Sequence, residues 1–178
     1  SMKILASPWS APAWMKQNNS MYGGSLKGSQ VYDDFAEYFV RYIKAFEREG
    51  ITIDAVTLQN EPMYETGGYP TMKMLWEEQN TIIRDYVGPK FVANGIHTKI
   101  IIWDHNFDMA YYPLNILNDP LTRQYVSGTG WHGYGGDASA IDAVQAEHPD
   151  KDVYFTEQSG GGWNTDTRMG NMFWYMKN

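Results

Sequence analysis

The 178-residue sequence contains no cysteine, which excludes disulfides and thiolate chemistry and leaves the redox compartment open. It also has no run close to the roughly 20 apolar residues that a membrane-spanning helix needs. Basic residues are outnumbered, with 14 Lys and Arg against 21 Asp and Glu and a net charge of −7. A negative surface does not attract phosphates or anionic lipids. We therefore expect no nucleic-acid partner, and the lack of a long apolar run predicts no membrane span.

Aromatic residues, by contrast, are abundant. They make up 15% of the chain, with 7 Trp and 13 Tyr, and many stand beside Gly, Asn and Asp in loop-like segments. Sugar rings have apolar C–H faces bordered by hydroxyls, so aromatic platforms next to polar groups suit carbohydrates, although the same residues also serve as core material. With 43% hydrophobic residues and no linker, residues 1–178 are expected to form a single domain.

Short apolar runs alternate with helical patterns along the chain. Strands are predicted at residues 3–7, 53–58, 99–103, 125–131 and 152–156. Helices are predicted at residues 31–46, 71–95, 109–118, 137–147 and 168–177. Thr71 is the predicted N-cap of the second helix, which ends near Gly95 and has a predicted break at Gly88 and Pro89. Asp137 is the predicted cap of the fourth helix. This alternation implies parallel strands, in a doubly wound sheet or a (β/α)8 barrel. The polar and aromatic clusters that follow each strand favour the barrel.

Two glutamates follow predicted strands within distinctive strings. Glu61 belongs to residues 57–62 (TLQNEP), and Glu157 belongs to residues 154–161 (YFTEQSGG). A lone glutamate at a strand end is most often a surface residue. In a barrel, however, strand ends converge on one rim, so these two side chains can meet across a substrate. Two carboxyl groups about 5–5.5 Å apart are what a retaining glycosidase requires.

Together with residues 6–16 (ASPWSAPAWMK) and 131–136 (WHGYGG), these two strings resemble glycoside hydrolase family 30, the family of glucosylceramidases and endo-β-1,6-glucanases. The resemblance covers essentially the whole chain. It implies an α/β fold, a partial (β/α)8 TIM barrel of about strands 3 to 7 with their helices. It also implies a retaining β-glycosidase that uses no cofactor and cleaves β-glucosidic bonds by double displacement. Glu61 would be the acid/base and Glu157 the nucleophile.

The resemblance also implies a set of substrate-binding residues: Trp9, Asn60, His132, Tyr134 and Trp163. Asn60 would bond the sugar 2-hydroxyl, and Tyr134 would hydrogen-bond the nucleophile. Ordinary barrel core is the competing interpretation for Trp9, Trp14 and Trp131, and it is favoured for Trp131.

Other kinds of site find less support in the sequence. The four histidines lack the close spacing of metal ligands, so no metal site is expected. Gly160 to Gly162 could suggest a phosphate-binding loop, but no Gly-Lys-Ser/Thr follows. Asp104 and His105 could form a catalytic dyad, but no nucleophilic serine motif accompanies them.

The sequence is shorter than a whole barrel, which takes about 200–250 residues. In the family's order it would begin at the third strand and end in the helix after the seventh. We therefore expect a fragment that is weakly active or inactive alone, whose edge strands self-associate or pair with a complementing barrel segment. No leader is recognisable, and the full-length protein is expected to be secreted or periplasmic. A β-1,6-glucan-like substrate is favoured over glucosylceramide. A non-catalytic carbohydrate-binding half-barrel and an inert half-barrel are the alternatives.

Overall fold

The computed structural model describes residues 2–159, whose strands form one parallel sheet in sequential order. The strands are β1 (Leu5–Ala6), β2 (Ala55–Thr57), β3 (Lys99–Asn106), β4 (Val126–His132) and β5 (Asp152–Glu157). Each pairs in parallel with the next one along the chain. A doubly wound sheet would instead reverse its strand order at a switch point. The sequential order confirms the predicted partial TIM barrel, here a curled half-barrel with helices between its strands.

The connections between strands contain α1 (Tyr32–Arg48), α2 (Trp76–Ile82), α3 (Gly88–Ala93), α4 (Tyr111–Leu117), α5 (Pro120–Arg123) and α6 (Ala140–Glu147). Short 3-10 turns occupy Ala13–Met15 and Ser29–Val31, and a π-helical segment occupies Ile83–Val87. The predicted apolar stripe of α1 packs inward through Phe35, Phe39 and Ile43, all of them buried. Within residues 2–159, every helix is too short or too polar to cross a membrane.

The helix predicted to start at Thr71 begins at Trp76 instead. Thr71 is buried, and its hydroxyl accepts hydrogen bonds from the backbone N–H groups of Gly23 and Thr66, so it ties two loops together rather than capping a helix. The predicted break at Gly88 and Pro89 is also wrong, because the chain stays helical from α2 into α3. The wider π-helical turn ends at Val87, directly before α3, and Pro89 sits in the first turn of α3, where its missing N–H costs little.

Asp137 does not cap α6, which begins at Ala140. Its carboxylate instead accepts a hydrogen bond from the N–H of Ser139, closing a turn before the helix. The short helix α5 was not predicted; it starts at a proline, and the Asp119 side chain caps it through the N–H of Leu121. The helix predicted at residues 168–177 lies outside the described residues.

Strand β3 lies at the centre of the sheet. Ile100, Ile101, Ile102 and Trp103 are all buried, as expected for a parallel strand covered on both faces. The pairing of β3 with β4 shifts register between Trp103 and His105, which marks a β-bulge. Trp103 and Asp104 have left-handed φ values of 73° and 65°. A bulge re-aims side chains, and this one lets the neighbours Asp104 and His105 both approach Glu61 and His132 at the rim of the sheet.

Candidate active site

Glu61 and Glu157 face each other across an open cleft at the carboxyl ends of the strands. Glu61 follows β2, and Glu157 is the last residue of β5. An oxygen of one carboxylate lies within 4.8 Å of an oxygen of the other. The cleft has a volume of about 480 Å³. Its walls also carry Trp9, Tyr64, Tyr69, His105, Tyr134 and Ser159.

The backbone around Glu61 is anchored to two other strands. Glu61 has a left-handed φ of 46°, a conformation that a residue with a side chain keeps only where its surroundings impose it. Its N–H donates a hydrogen bond to the carbonyl of Asp104, at 3.0 Å. The N–H of Asn60 donates to the carbonyl of Pro8, at 2.8 Å. The Asn-Glu-Pro segment is therefore held between the ends of β1 and β3.

Tyr134 orients Glu157 from the loop after β4. The Tyr134 hydroxyl donates to Oε1 of Glu157 at 2.9 Å, the contact that the family resemblance implied, and it accepts a hydrogen bond from the N–H of Ser159 at 2.8 Å. Burial and the neighbouring Glu157 carboxylate raise the pKa of Tyr134 above its ordinary value. The phenol therefore stays protonated near neutral pH and can keep donating to Glu157.

His132 lies beneath the cleft between two carboxylates. Its Nδ1 is 3.1 Å from Oε1 of Glu61, and its Nε2 is 3.0 Å from Oδ1 of Asp104. Burial alone would lower the pKa of the imidazole, but the hydrogen bonds to Asp104 and Glu61 outweigh it and raise the pKa of His132 to about 9. His132 is therefore a buried cation at neutral pH, with both ring nitrogens donating.

Asp104 is the buried partner of His132, a pairing that the sequence did not predict. Burial opposes the ionised form, but hydrogen bonds from His132, Ser7 and Thr156 hold the pKa of Asp104 below its ordinary value. The dyad considered for Asp104 and His105 is not formed, since Asp104 bonds His132, whereas Nε2 of His105 lies 4.0 Å from Glu61. Burial lowers the pKa of His105, so this second imidazole is neutral.

An aromatic wall made of Trp9, Tyr64 and Tyr69 borders the cleft. Trp9 meets Tyr69 edge to face at 5.4 Å, and Tyr64 stacks on Tyr69 at 6.4 Å between ring centroids. Each of these residues is between 40% and 42% exposed, so the wall is partly open to a ligand. Trp9 was predicted for this role and the two tyrosines were not. The signal for them was their position, three and eight residues after Glu61 in the loop that leaves β2.

The other tryptophans and the asparagine singled out from the sequence differ in how deeply they are buried. Trp131 is fully buried, which confirms its core role, whereas Trp14 is 55% exposed and is not core. Asn60 is buried next to Glu61. Trp163 lies outside the described residues.

One cluster could in principle hold a cation. A carboxylate oxygen of Glu61, a ring nitrogen of His132 and an oxygen of Glu157 lie within 4.8 Å of one another. Both nitrogens of His132 are already hydrogen-bonded to carboxylates, and an imidazolium cannot ligate a metal. The donor set therefore suits proton transfer better than metal binding.

Comparison with known proteins places this chain in a family. A model of the glycosyl hydrolase family 30 TIM-barrel domain matches residues 1–176. An endo-1,6-beta-D-glucanase of Trichoderma harzianum is 40% identical over 179 residues, which cover 92% of this chain and 36% of that protein. The lysosomal acid glucosylceramidase of Mus musculus is 28% identical over 184 residues, which cover 96% of this chain and 36% of that protein. The chain thus spans about a third of the length of these curated relatives.

Solved structures agree in fold. The endo-beta1,6-glucanase BT3312 superposes with a TM-score of 0.87 at 38% identity, covering 92% of this chain and 38% of that chain. SrfJ from Salmonella typhimurium superposes with a TM-score of 0.81 at 32% identity, covering 91% of this chain and 38% of that chain. Because the family model extends over all five strands and both facing glutamates, the chain belongs to glycosyl hydrolase family 30.

Proposed function

We propose that the protein is a retaining β-glycosidase that cleaves β-glucosidic bonds, with residues 1–178 as a single, incomplete catalytic barrel domain. The observation that supports this proposal is the separation of the two carboxylates, whose oxygens approach within 4.8 Å. Retaining enzymes hold their carboxyl groups about 5–5.5 Å apart, whereas inverting enzymes need about 6.5–9.5 Å to admit a water molecule. The short spacing favours direct attack by one glutamate.

In this mechanism Glu61 protonates the glycosidic oxygen while Glu157 attacks the anomeric carbon and forms a covalent glycosyl ester. Water then attacks the anomeric carbon, Glu61 removes its proton, and Glu157 leaves as a carboxylate. Tyr134 fixes the attacking group through Oε1 of Glu157. His132 fixes Glu61 from below.

The preferred substrate class in this proposal is a β-1,6-linked glucan. Relatives named endo-1,6-β-glucanases are 40% and 38% identical to the chain, against 28% for the mouse glucosylceramidase. The open cleft and its aromatic wall also suit an extended sugar chain, since three partly exposed aromatic side chains border the cleft and can contact apolar sugar surfaces.

The stereochemical outcome tests the proposal. We expect proton NMR of the first product from an aryl β-glucoside to show the β-anomer, and β-1,6-glucan to be cleaved in preference to glucosylceramide and β-1,4-xylan. The chain spans only about a third of the length of its relatives. Activity is therefore measured both for the chain alone and for a hybrid protein, in which residues 2–159 replace the matching segment of the Trichoderma harzianum relative. The chain alone should be weakly active or inactive. Initial release of the α-anomer would refute retention.

A non-catalytic carbohydrate-binding half-barrel is the second candidate. The feature that favours it is the half-exposed aromatic wall, which can bind a sugar without any chemistry. Binding of β-1,6-glucan with no hydrolysis by the hybrid, unchanged by Glu157→Gln, would support this alternative over the enzyme.

We further propose that the chain associates along β5, the last strand of the described sheet. Val153 and Phe155 on this strand are 38% and 53% exposed, and an open strand edge invites pairing with another chain or with a complementing barrel segment. Val153→Lys should shift the sedimentation profile towards monomer. Val92→Lys, on an α3 side chain that is 71% exposed, should leave it unchanged. A wild-type chain that sediments as a monomer at all concentrations would contradict self-association.

A further inference from the structure

Asp104 connects the whole sheet beneath the cleft. Its carboxylate is 1% exposed and accepts hydrogen bonds from one side chain on, or directly after, each of the other four strands. The four donors are Ser7, Thr57, His132 and Thr156. A buried carboxylate with this many donors is held ionised and in one orientation. The ends of all five strands are therefore linked by hydrogen bonds to the Asp104 carboxylate.

The same residue holds Glu61 at two points. The main-chain carbonyl of Asp104 accepts the N–H of Glu61 at 3.0 Å. Its side chain reaches the Glu61 carboxylate through His132, with distances of 3.0 Å and 3.1 Å on the two ring nitrogens. Both Asp104 and Glu61 have left-handed φ values, 65° and 46°, which persist only where the surrounding structure over-determines them. The backbone and the side chain of Asp104 therefore both help to fix the position of the Glu61 carboxyl group.

Charge gives this arrangement a consequence beyond geometry. The groups that face His132 are Asp104 and His105 of β3, Glu61 after β2, Glu157 of β5 and Tyr134 after β4. A general acid must begin the reaction protonated. With an ionised Asp104 on its other nitrogen, His132 belongs to a pair of zero net charge. It can then orient Glu61 through a hydrogen bond without placing a net charge beside it.

We propose that Asp104 is the positioning residue of the acid/base, acting on Glu61 through its own main-chain carbonyl and through a His132 that it keeps doubly protonated. The kinetic part of this inference rests on the proposed role of Glu61. The structural part does not, and it is tested separately.

The test is a pH titration of the imidazole nitrogens by NMR on the full chain, which has only four histidines, with His132→Gln to assign the signal. The wild-type His132 should carry two protons at neutral pH and titrate near 9. In Asp104→Asn its midpoint should fall by about 1–3 pH units, the effect of removing one adjacent charge. An unchanged midpoint in Asp104→Asn, or a neutral His132 in the wild type at neutral pH, would overturn the proposal.

Thr156→Val is the matched control for Asp104→Asn. It removes a hydrogen bond to the same carboxylate oxygen, Oδ1, without removing the charge. If Asp104 were only a structural tie, both variants would act alike on His132. We expect Thr156→Val to leave the midpoint close to that of the wild type.

Asp104→Asn can unfold the chain, so a second variant keeps the test decisive. Glu61→Gln removes the other carboxylate from His132, and Asp104 alone should then hold the His132 midpoint above 6.5, the ordinary value of the imidazole. A midpoint at or below 6.5 in Glu61→Gln would show that Asp104 does not hold the proton.

The kinetic readout separates this inference from the proposed function. In the hybrid, Asp104→Asn should slow the hydrolysis of phenyl β-glucoside more than that of dinitrophenyl β-glucoside, because only the first leaving group needs a proton. Equal losses on both substrates would refute a role in positioning the acid. If no variant of Glu61 or Glu157 affects hydrolysis while the NMR result holds, the proposed roles of these two glutamates fail and the charge arrangement stands.

Discussion

Glu157→Gln is expected to abolish covalent labelling of the chain by dinitrophenyl 2-deoxy-2-fluoro-β-glucoside. The fluorine destabilises the oxocarbenium-like transition states of both steps, while the activated leaving group keeps the first step accessible, so the glycosyl ester accumulates. An amide cannot form that ester. Labelling is a single event for each molecule, so intact-mass measurement and peptide mapping to Glu157 can detect it even where turnover is slow. In the hybrid we expect turnover to fall by about 10⁴-fold or more.

Two variants control this experiment. Glu77→Gln, on an exposed side chain of α2, should be labelled like the wild type. Glu61→Gln should also be labelled, because dinitrophenolate departs without a proton. Labelling that survives Glu157→Gln, or mass added to a different residue, would show that another group is the nucleophile.

Glu61→Ala is expected to lower the turnover of phenyl β-glucoside by the hybrid about 10²–10⁴-fold, the usual contribution of general acid/base catalysis. The loss in the first step should shrink as the leaving group improves, since a good leaving group needs no protonation. The cavity left by the carboxyl group should admit azide, which attacks the glycosyl ester without a general base. Azide should then restore turnover of dinitrophenyl β-glucoside and yield the β-glucosyl azide.

The leaving-group series and the azide product are the decisive measurements for Glu61. Glu65→Ala, on an exposed side chain four residues later in the same loop, is the matched control and should show neither effect. If Glu61→Ala slowed all leaving groups equally and azide failed to restore turnover, the residue would not be the acid/base. An α-glucosyl azide would mean that the two glutamates have been assigned the wrong way round.

Local patterns predicted the strands well because each strand carries its own signal. The apolar run of β3 was predicted to within three residues at its end, and all five strands appear in the predicted order. Helix starts were less predictable. Thr71 is a residue type that commonly caps helices, but its hydroxyl instead accepts hydrogen bonds from the N–H groups of Gly23 and Thr66 in two loops. Such competition between local and long-range hydrogen bonds cannot be read from a window of neighbouring residues.

The bulge at Asp104 shows why part of the site escaped prediction. A left-handed backbone is uncommon for any residue with a side chain, and Trp103 and Asp104 adopt it in succession. It is stable here because Asp104 gains partners from strands far away in sequence, such as Ser7, 97 residues earlier. His105, the partner of Asp104 that the sequence suggested, is its immediate neighbour, and adjacent side chains in a regular strand point to opposite faces; the actual partner is His132, on the next strand.

The sequence by itself determined the alternating β/α order, the acidic and cysteine-free chemistry and the positions of Glu61 and Glu157 at the ends of two strands. Each of these follows from local residue types or their spacing. The tertiary structure alone decided that those carboxylates come within 4.8 Å, that Asp104 and His132 support Glu61, and that Tyr64 and Tyr69 join Trp9 in one wall. The physical reason is the curl of the parallel sheet, which brings together side chains from separate strands. The local sequence of one strand carries no information about which side chains of the other strands it will meet.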